Sequence, residues 1–275
     1  MKSLLTGAAL IGLAVSTGSV PMLAQMQDNT EKNMTCENGG YDSDGARHCE
    51  IREQSVPATG RLGVDAGRNG GVTVKGWLRS NVLVRSRVET SGENQAAATA
   101  MASRVLVDSS GGQVHATGPE PADNASWSVS YEIFVPQATD LNLKTYNGGL
   151  TISDVRGEIR FDVNNGGVHL KRVAGDVGGA TVNGGINVEL NGSIWDGRQL
   201  ELSTRNGGVS IAMPSYYSAH LQAETGAGSI HSDFPLAMDG NLRPRRVDSN
   251  IGAGGSLIHI STGNGGVSLK RSDSQ

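Results

Sequence analysis

The tripeptide Asn-Gly-Gly recurs through the chain, and its spacing constrains the fold more than any other feature of the sequence. From the copy at Asn147 to the copy at Asn206, the intervals are 18, 18 and 23 residues. Spacing of this kind is typical of repeat architectures, in which each unit buries its apolar face against the next. Six copies precede an aliphatic residue and are called the triplets below. One begins at Asn69, and the five later ones are predicted to be structural corners: Asn147, Gly148, Gly149, Asn165, Gly166, Gly167, Asn183, Gly184, Gly185, Asn206, Gly207, Gly208, Asn264, Gly265 and Gly266.

Each triplet is followed by a trio in which a polar residue stands between two aliphatic ones. Leu150-Thr151-Ile152 and Val168-His169-Leu170 are examples, and the residues before a triplet alternate in the same way. Alternation with a period of two predicts a strand with one buried side and one side in water. Each unit is therefore a strand, a corner and a second strand. Asn and Gly tolerate the left-handed backbone of tight corners, so we expect that conformation at Gly166 and Gly184.

The equal spacing of equivalent residues favours an all-β fold, a parallel β-solenoid with rungs of about 18–23 residues. In a stacked coil each rung must lie over the last, whereas Asn-Gly hairpins impose no such spacing. A second glycine corner is predicted between units, as in residues 155–159. The 39 glycines, about twice the usual share of roughly 7%, agree with a turn in every unit. A β-sandwich is the alternative.

The sequence divides into four predicted parts: a signal peptide over 1–24, an extension over 25–57, an irregular β part over 58–140 and the repeat over 141–275. The irregular part has one stretch of helical character, over 91–103, and is expected to cap the solenoid. A degenerate copy at 224–230 is expected to supply a rung between the last two triplets. The final strand nearly reaches the terminus, so we expect an open edge there unless the last residues or a partner cover it.

The first residues have the pattern of a secretory signal. Lys2 is followed by an apolar run over 4–15 and by a small-residue stretch that ends near Ala24. The run is short for a membrane span, and no later segment is uninterrupted enough to form one. We therefore expect an exported protein, periplasmic or extracellular, with no membrane span in the mature chain.

Export favours a disulfide between the two cysteines, Cys36 and Cys49. Two metal sites are the alternatives. His48 beside Cys49 gives too few soft ligands for zinc, and the calcium-loop pattern at residues 42–45 lacks oxygen ligands at its key positions. The sequence thus predicts no metal site and no cofactor.

Neither the net charge nor the arrangement of the titratable residues indicates an enzyme. The net charge of −4 gives no reason to expect a nucleic-acid partner. Asp154, Asp162 and Asp176 are spread over corners and strands rather than paired for acid-base catalysis, and the six histidines are scattered. We predict no catalytic residue.

The polar residues in the middle of the trios are the candidate binding residues. Stacking of the units would align Thr151, His169, Asn187 and Ser210 into an outer ladder able to hydrogen-bond a glycan or another protein. A solenoid also needs a solvated face, so the ladder has a purely structural alternative. The aromatic residues Trp77, Trp127, Trp195, Tyr216 and Tyr217 are candidates for stacking on sugars or for filling the core.

The units "TYNGGLTISDVRGEIRFDVNNGGVHL" and "IHISTGNGGVSLK", with "WSVSYEIFVPQATDLNLKT" before them, carry a family resemblance. From about residue 60 to the end the chain resembles the toastrack domain, a bacterial adhesin-like strand-repeat domain of unknown function. The resemblance implies an exported or envelope-associated repeat domain and supplies no catalytic residues. A non-enzymatic role in cell-surface or envelope interaction, with an envelope protein or a glycan as partner, is the leading hypothesis. The alternatives are a sensory or scaffold module of an envelope-stress system and a polysaccharide-active β-helix enzyme.

Overall fold

The computed structural model describes residues 28–36, 46–122, 125–236 and 245–272. Its single described helix is α1 (Gln95–Arg104). The described strands are β1 (Ala46–Pro57), β2 (Arg61–Asp65), β3 (Val72–Trp77), β4 (Asn81–Gly92), β5 (Leu106–Asp108), β6 (Gln113–Thr117), β7 (Ser126–Pro136), β8 (Asp140–Asn147), β9 (Leu150–Ser153), β10 (Arg156–Asn165), β11 (Val168–Lys171), β12 (Ala174–Asn183), β13 (Ile186–Glu189), β14 (Gln199–Asn206), β15 (Val209–Pro214), β16 (Ala219–Ala227), β17 (Ile230–Ser232), β18 (Arg246–Ile251), β19 (Leu257–Asn264) and β20 (Val267–Ser272).

The strands form two facing sheets, and each repeat unit contributes one strand to each. Sheet A has the order β1-β4-β7-β3-β9-β11-β13-β15-β20-β17, and sheet B has the order β18-β16-β19-β14-β12-β10-β8-β2-β6-β5. Neighbours are parallel throughout the repeat, with equivalent residues paired; Val168, for example, lies between Leu150 and Ile186. The predicted all-β fold with stacked parallel rungs is confirmed.

The core lies between the sheets and consists of the aliphatic residues predicted from the alternation. Leu150, Val168 and Ile186 are at most 1% exposed, and the corresponding sheet-B residues Ile159 and Val177 are fully buried. Burial of each such side chain stabilises the fold by roughly 1.5–3 kcal/mol. Because every rung buries aliphatic residues against both neighbouring rungs, the stack has one continuous core.

The triplet corners differ from the prediction in their backbone. Gly166 and Gly184 do not have left-handed φ angles, so the expected left-handed corner is wrong at both. Glycine is required there for a different reason. A Cβ on Gly166 would lie 2.0 Å from the carbonyl oxygen of Gly148, and one on Gly184 would lie 2.0 Å from that of Gly166. Close stacking of backbone on backbone, rather than an unusual φ, excludes a side chain.

The left-handed residues lie at the other corner of the unit. Asp154 has a φ of 59° and Arg172 a φ of 49°, and these two positions are equivalent in successive units. Gly157, from the predicted corner over 155–159, and the equivalent Gly175 lie inside β10 and β12, although Gly175 also has a left-handed φ, of 105°. The second corner therefore lies a few residues earlier in the sequence than predicted. A non-glycine residue is uncommon in this conformation, and here an ion pair between the two side chains supports it.

Three antiparallel strands of sheet A and the helix lie at one end of the stack. β1, β4 and β7 pair antiparallel at the end of sheet A, and α1 packs against β4 and β1. The helix begins after Asn94, whose side chain accepts a hydrogen bond of 2.9 Å from the Ala97 N–H, as an N-cap does. This arrangement covers the core at that end.

The last unit of the chain is not at the end of the stack. β20 lies between β15 and β17, and β19 lies between β14 and β16. The degenerate unit of β16 and β17 therefore forms the outer rung, and the expected open edge at the C-terminal strand is wrong. At this end of sheet B, β18 pairs antiparallel with β16.

No helix among the described residues has the length and apolar character needed to span a bilayer. The signal peptide predicted over 1–24 lies outside the described residues. The division of the remaining chain at residue 140 stays a prediction, since β2 and β3 lie beside β8 and β9 in the same two sheets.

Candidate functional site

The outer face of sheet A aligns the four residues of the predicted ladder. His169 is paired with Thr151 on one side and Asn187 on the other, and Asn187 is paired with Ser210. His169 and Asn187 are exposed, and Thr151 and Ser210 are half-buried. The register extends the row in both directions, so that it comprises Thr73, Thr151, His169, Asn187, Ser210, Ser268 and His231. We call these seven residues the polar row.

The polar row is long and nearly free of charged side chains. With strands about 4.8 Å apart, seven residues extend over about 29 Å. In the next row of the face, Lys171 and Glu189 form an exposed ion pair of 3.0 Å. Such a pair contributes little to stability. The face thus offers hydroxyl, amide and imidazole groups rather than a concentrated charge.

A second ladder runs along the triplet corners beside this face. Each triplet asparagine after Asn69 donates its amide to the side-chain oxygen of the asparagine in the preceding rung of the stack, over distances from 2.7 to 2.9 Å. Buried threonine hydroxyls below it bond to glycine carbonyl oxygens, as Thr181 does to Gly166 at 3.0 Å. Each inner asparagine of this ladder donates to one neighbour and accepts from the other, and each end asparagine makes one such bond. These bonds fix the corners, and the triplets are structural in geometry.

Residues 28–36 form a strap across the outer face of sheet A. At one end the Asn29 amide donates to the Asp154 carboxylate, and at the other Cys36 is joined to Cys49 on β1 by a disulfide. Between them, Lys75 on β3 donates to the Glu31 carbonyl oxygen over 2.9 Å. The strap thus crosses the strands where the parallel stack meets its antiparallel end.

A buried carboxylate, Glu132 on β7, holds the middle of the strap. It accepts the Asn33 N–H at 2.9 Å and pairs with Lys75 at 2.9 Å and with Arg85. Only 3% of Glu132 is exposed. Burial by itself raises the pKa of Glu132, but the Asn33 N–H and the two cations outweigh burial and hold the pKa below its usual range. The carboxylate is therefore ionised and fully engaged.

Two open grooves flank the strap. One, of about 530 Å³, lies between the strap and the polar row and is lined by Thr73, Thr151, Ser130, Lys75 and Arg87 among others. The second, of about 470 Å³, lies beside the disulfide and includes Asn69 and Glu89. The first groove joins the strap to the polar row, because Thr73 and Thr151 belong to both.

The carboxylates considered for catalysis do not come together. Asp154 is fully buried and bonded to Arg172, Asp176 pairs with Arg160 and Arg198, and Asp162 is exposed on sheet B. Among the described residues, no group of three or more His, Cys, Asp or Glu side chains is placed to hold a metal ion. The arrangement offers binding surfaces rather than an acid-base pair.

The aromatic residues are mostly part of the core. Trp77, Trp195 and Tyr217 are at most 3% exposed, so they are not available for stacking on a sugar. Tyr216 is 62% exposed, and Trp127 is half-buried beside the second groove. Burial raises the pKa of Tyr217, as expected for a phenol in an apolar environment.

The strap and its buried carboxylate were not predicted from the sequence. Glu132 is flanked by Tyr131, Ile133 and Phe134, which predicts a strand, and its outward position predicts exposure. Its burial comes from the strap, whose residues have no apolar periodicity. The one available signal was a lone acid in an otherwise apolar run.

Three solved structures show a distant likeness. A candidate cell adhesion protein of Clostridium sporogenes is 12% identical, with 82% of this chain and 100% of that chain covered and a TM-score of 0.40. A candidate adhesin of Bacteroides fragilis is 8% identical, with coverage of 82% and 97% and a TM-score of 0.34. A candidate lipid binding protein of Parabacteroides distasonis is 10% identical, with coverage of 84% and 97% and a TM-score of 0.32. No curated protein sequence matches the chain.

The family match is more specific. The profile of the family Toastrack DUF4097 matches residues 68–270, which include all six triplets and most strands of both sheets. It confirms the resemblance carried by the corner-strand units. The chain belongs to the toastrack family.

Proposed function

We propose that this protein is a non-enzymatic, exported surface-interaction module, and that its binding face is the outer face of sheet A. The observation that carries the proposal is the polar row, a straight line of hydrogen-bonding side chains about 29 Å long on a rigid stack. A rigid array presents its donors and acceptors at fixed intervals, so little conformational entropy is lost on binding.

The chemistry of the row fits a partner that is recognised by hydrogen bonds. His169 and Asn187 are exposed side by side, and neither is engaged with a charged neighbour. A glycan or a polar segment of another envelope protein has complementary hydroxyl and amide groups. The Cys36–Cys49 disulfide supports the exported location, because such bonds persist in oxidising compartments.

The proposal is tested with the chain lacking residues 1–24, immobilised and exposed to a panel of glycans and to an envelope extract. Two matched variants identify the face. Asn187→Glu changes the polar row, and Asn142→Glu changes another exposed asparagine, on the outer face of sheet B. We expect a ligand of the wild-type protein to bind the Asn142→Glu variant normally and to be lost from the Asn187→Glu variant.

Two outcomes would contradict the proposal. Normal binding by Asn187→Glu together with loss by Asn142→Glu would move the binding face to sheet B. Cleavage of any panel glycan by the wild-type protein would contradict the non-enzymatic role.

A further inference from the structure

One Asn-Gly pair among the described residues lies outside the triplets. Asn191 and Gly192 follow β13, in the connection that leads to β14. Asn191 is exposed and Gly192 has a φ of 74°. Neither the Asn191 amide nor the Gly192 N–H has a hydrogen-bond partner within the described part of the chain.

The six triplets differ in this respect. In each, the N–H of the first glycine donates to a carbonyl oxygen of the neighbouring rung over 3.0 Å: Gly70 to Asn147, Gly148 to Asn165, Gly166 to Asn183, Gly184 to Asn206, Gly207 to Asn264 and Gly265 to Ala227. Five of the six asparagine amides also donate to the asparagine of the preceding rung in the corner ladder.

This difference matters because Asn-Gly pairs undergo a chemical change of their own. The glycine nitrogen loses its proton to hydroxide and attacks Cγ of the asparagine, forming a new N–C bond. The Cγ–Nδ2 bond breaks and the nitrogen leaves as ammonia, giving a succinimide ring. Water then opens either carbonyl–nitrogen bond of the ring and yields aspartate or isoaspartate. A hydrogen-bonded glycine N–H cannot be deprotonated and turned toward its own side chain without opening the stack.

We propose that Asn191 is a site of spontaneous deamidation in the folded protein and that stacking protects the six triplet asparagines. The reactants are the chain itself and water. The product carries a new carboxylate, so the net charge falls by one. An isoaspartate also lengthens the backbone beside Ser193, whose carbonyl oxygen accepts the Ser218 N–H at 2.8 Å.

The test incubates the full chain at mildly alkaline pH, folded and in denaturant, and follows each Asn-Gly peptide by mass spectrometry. In denaturant we expect Asn191 and the triplet asparagines to react at similar rates. In the folded protein we expect Asn191 to keep its rate and the triplet asparagines to react at least about tenfold more slowly, since they must wait for local opening.

A control variant tests the proposal without mass spectrometry of individual peptides. Both chains compared carry Asn38→Gln, which removes the Asn38-Gly39 pair; the chain with Asn191 should accumulate a more acidic species on ion exchange, and the chain with Asn191→Gln should accumulate it much more slowly. The proposal is overturned if the triplet asparagines react as fast folded as denatured, if Asn191 reacts no faster than they do in the folded state, or if Asn191→Gln does not slow the acidification.

Discussion

At the scale of single residues, the two glycines of each triplet meet different requirements. A Cβ on the first glycine would lie 2.0 Å from a backbone carbonyl oxygen at Gly148, Gly166, Gly184 and Gly207. A Cβ on the second would lie no closer than 3.1 Å to any atom of the neighbouring rungs. The spacing between strands therefore requires a glycine at the first position. The glycine at the second position leaves the outer face beside the polar row without side chains.

Two neighbouring substitutions test this distinction. Gly166→Ala should destabilise the fold by about 3 kcal/mol, because its methyl group meets backbone that cannot move without shifting a rung. Gly167→Ala should change stability by less than about 1 kcal/mol, since its Cβ would be 3.7 Å from the nearest carbonyl oxygen. Urea unfolding of both variants measures the difference. Equal losses would mean that stacking distance does not explain the first glycine.

At the scale of elements, the strands could be predicted and the strap could not. Alternation of aliphatic and polar residues marks each strand directly, and helix α1 follows from its alanines and the Asn94 cap. The strap, residues 28–36, is mostly polar and is held by contacts to residues far away in sequence, such as Glu132. Nothing local distinguishes it from a linker. The turns at Asp154 and Arg172 were missed for a similar reason, since an ion pair across two rungs supports them.

The strap should be sensitive to the charge of Glu132. Glu132→Gln leaves Lys75 and Arg85 without their buried partner, so we expect a loss of about 3 kcal/mol at pH 7. The pKa of Glu132 is lowered on folding, so its ion pairs stabilise the fold above the ordinary glutamate pKa of about 4.3. That stabilisation is lost as the pH falls through the lower, folded pKa.

Thermal melting at pH 7 and near pH 3.5 measures the effect. The difference in melting temperature between the wild-type protein and Glu132→Gln should narrow at the lower pH, because the Glu132 carboxyl of the unfolded chain takes up a proton below its ordinary pKa of about 4.3. Glu189→Gln is the matched control, since Glu189 is 61% exposed and its pair with Lys171 is at the surface. A gap that is independent of pH, or one equally large for the control, would show that the Glu132 ion pairs do not hold the strap.

At the scale of the whole molecule, the order of the rungs is not the order of the chain. The unit of β19 and β20 lies between two units that precede it in sequence. The sequence could not predict this insertion, because successive units carry the same aliphatic rows and stack equally well by pattern alone. The order of the units depends instead on which unit is covered at the end of the core. The β16–β17 unit is followed by Phe234, which is 5% exposed, and is covered on sheet B by β18.

Because of this order, the C-terminal unit supplies core residues and strand pairing in the middle of the stack. Deleting residues 257–275 removes Ile258, Ile260, Val267 and Leu269, all at most 1% exposed, and separates β16 and β17 from the strands before them. If repeats stacked in chain order, the same deletion would trim one end and leave the rest folded. We expect instead a chain without a cooperative melting transition, whereas deletion of residues 273–275 alone should leave the melting temperature unchanged. Circular dichroism of both truncated chains distinguishes the two arrangements, and a folded, cooperatively melting product of the longer deletion would contradict the inserted position.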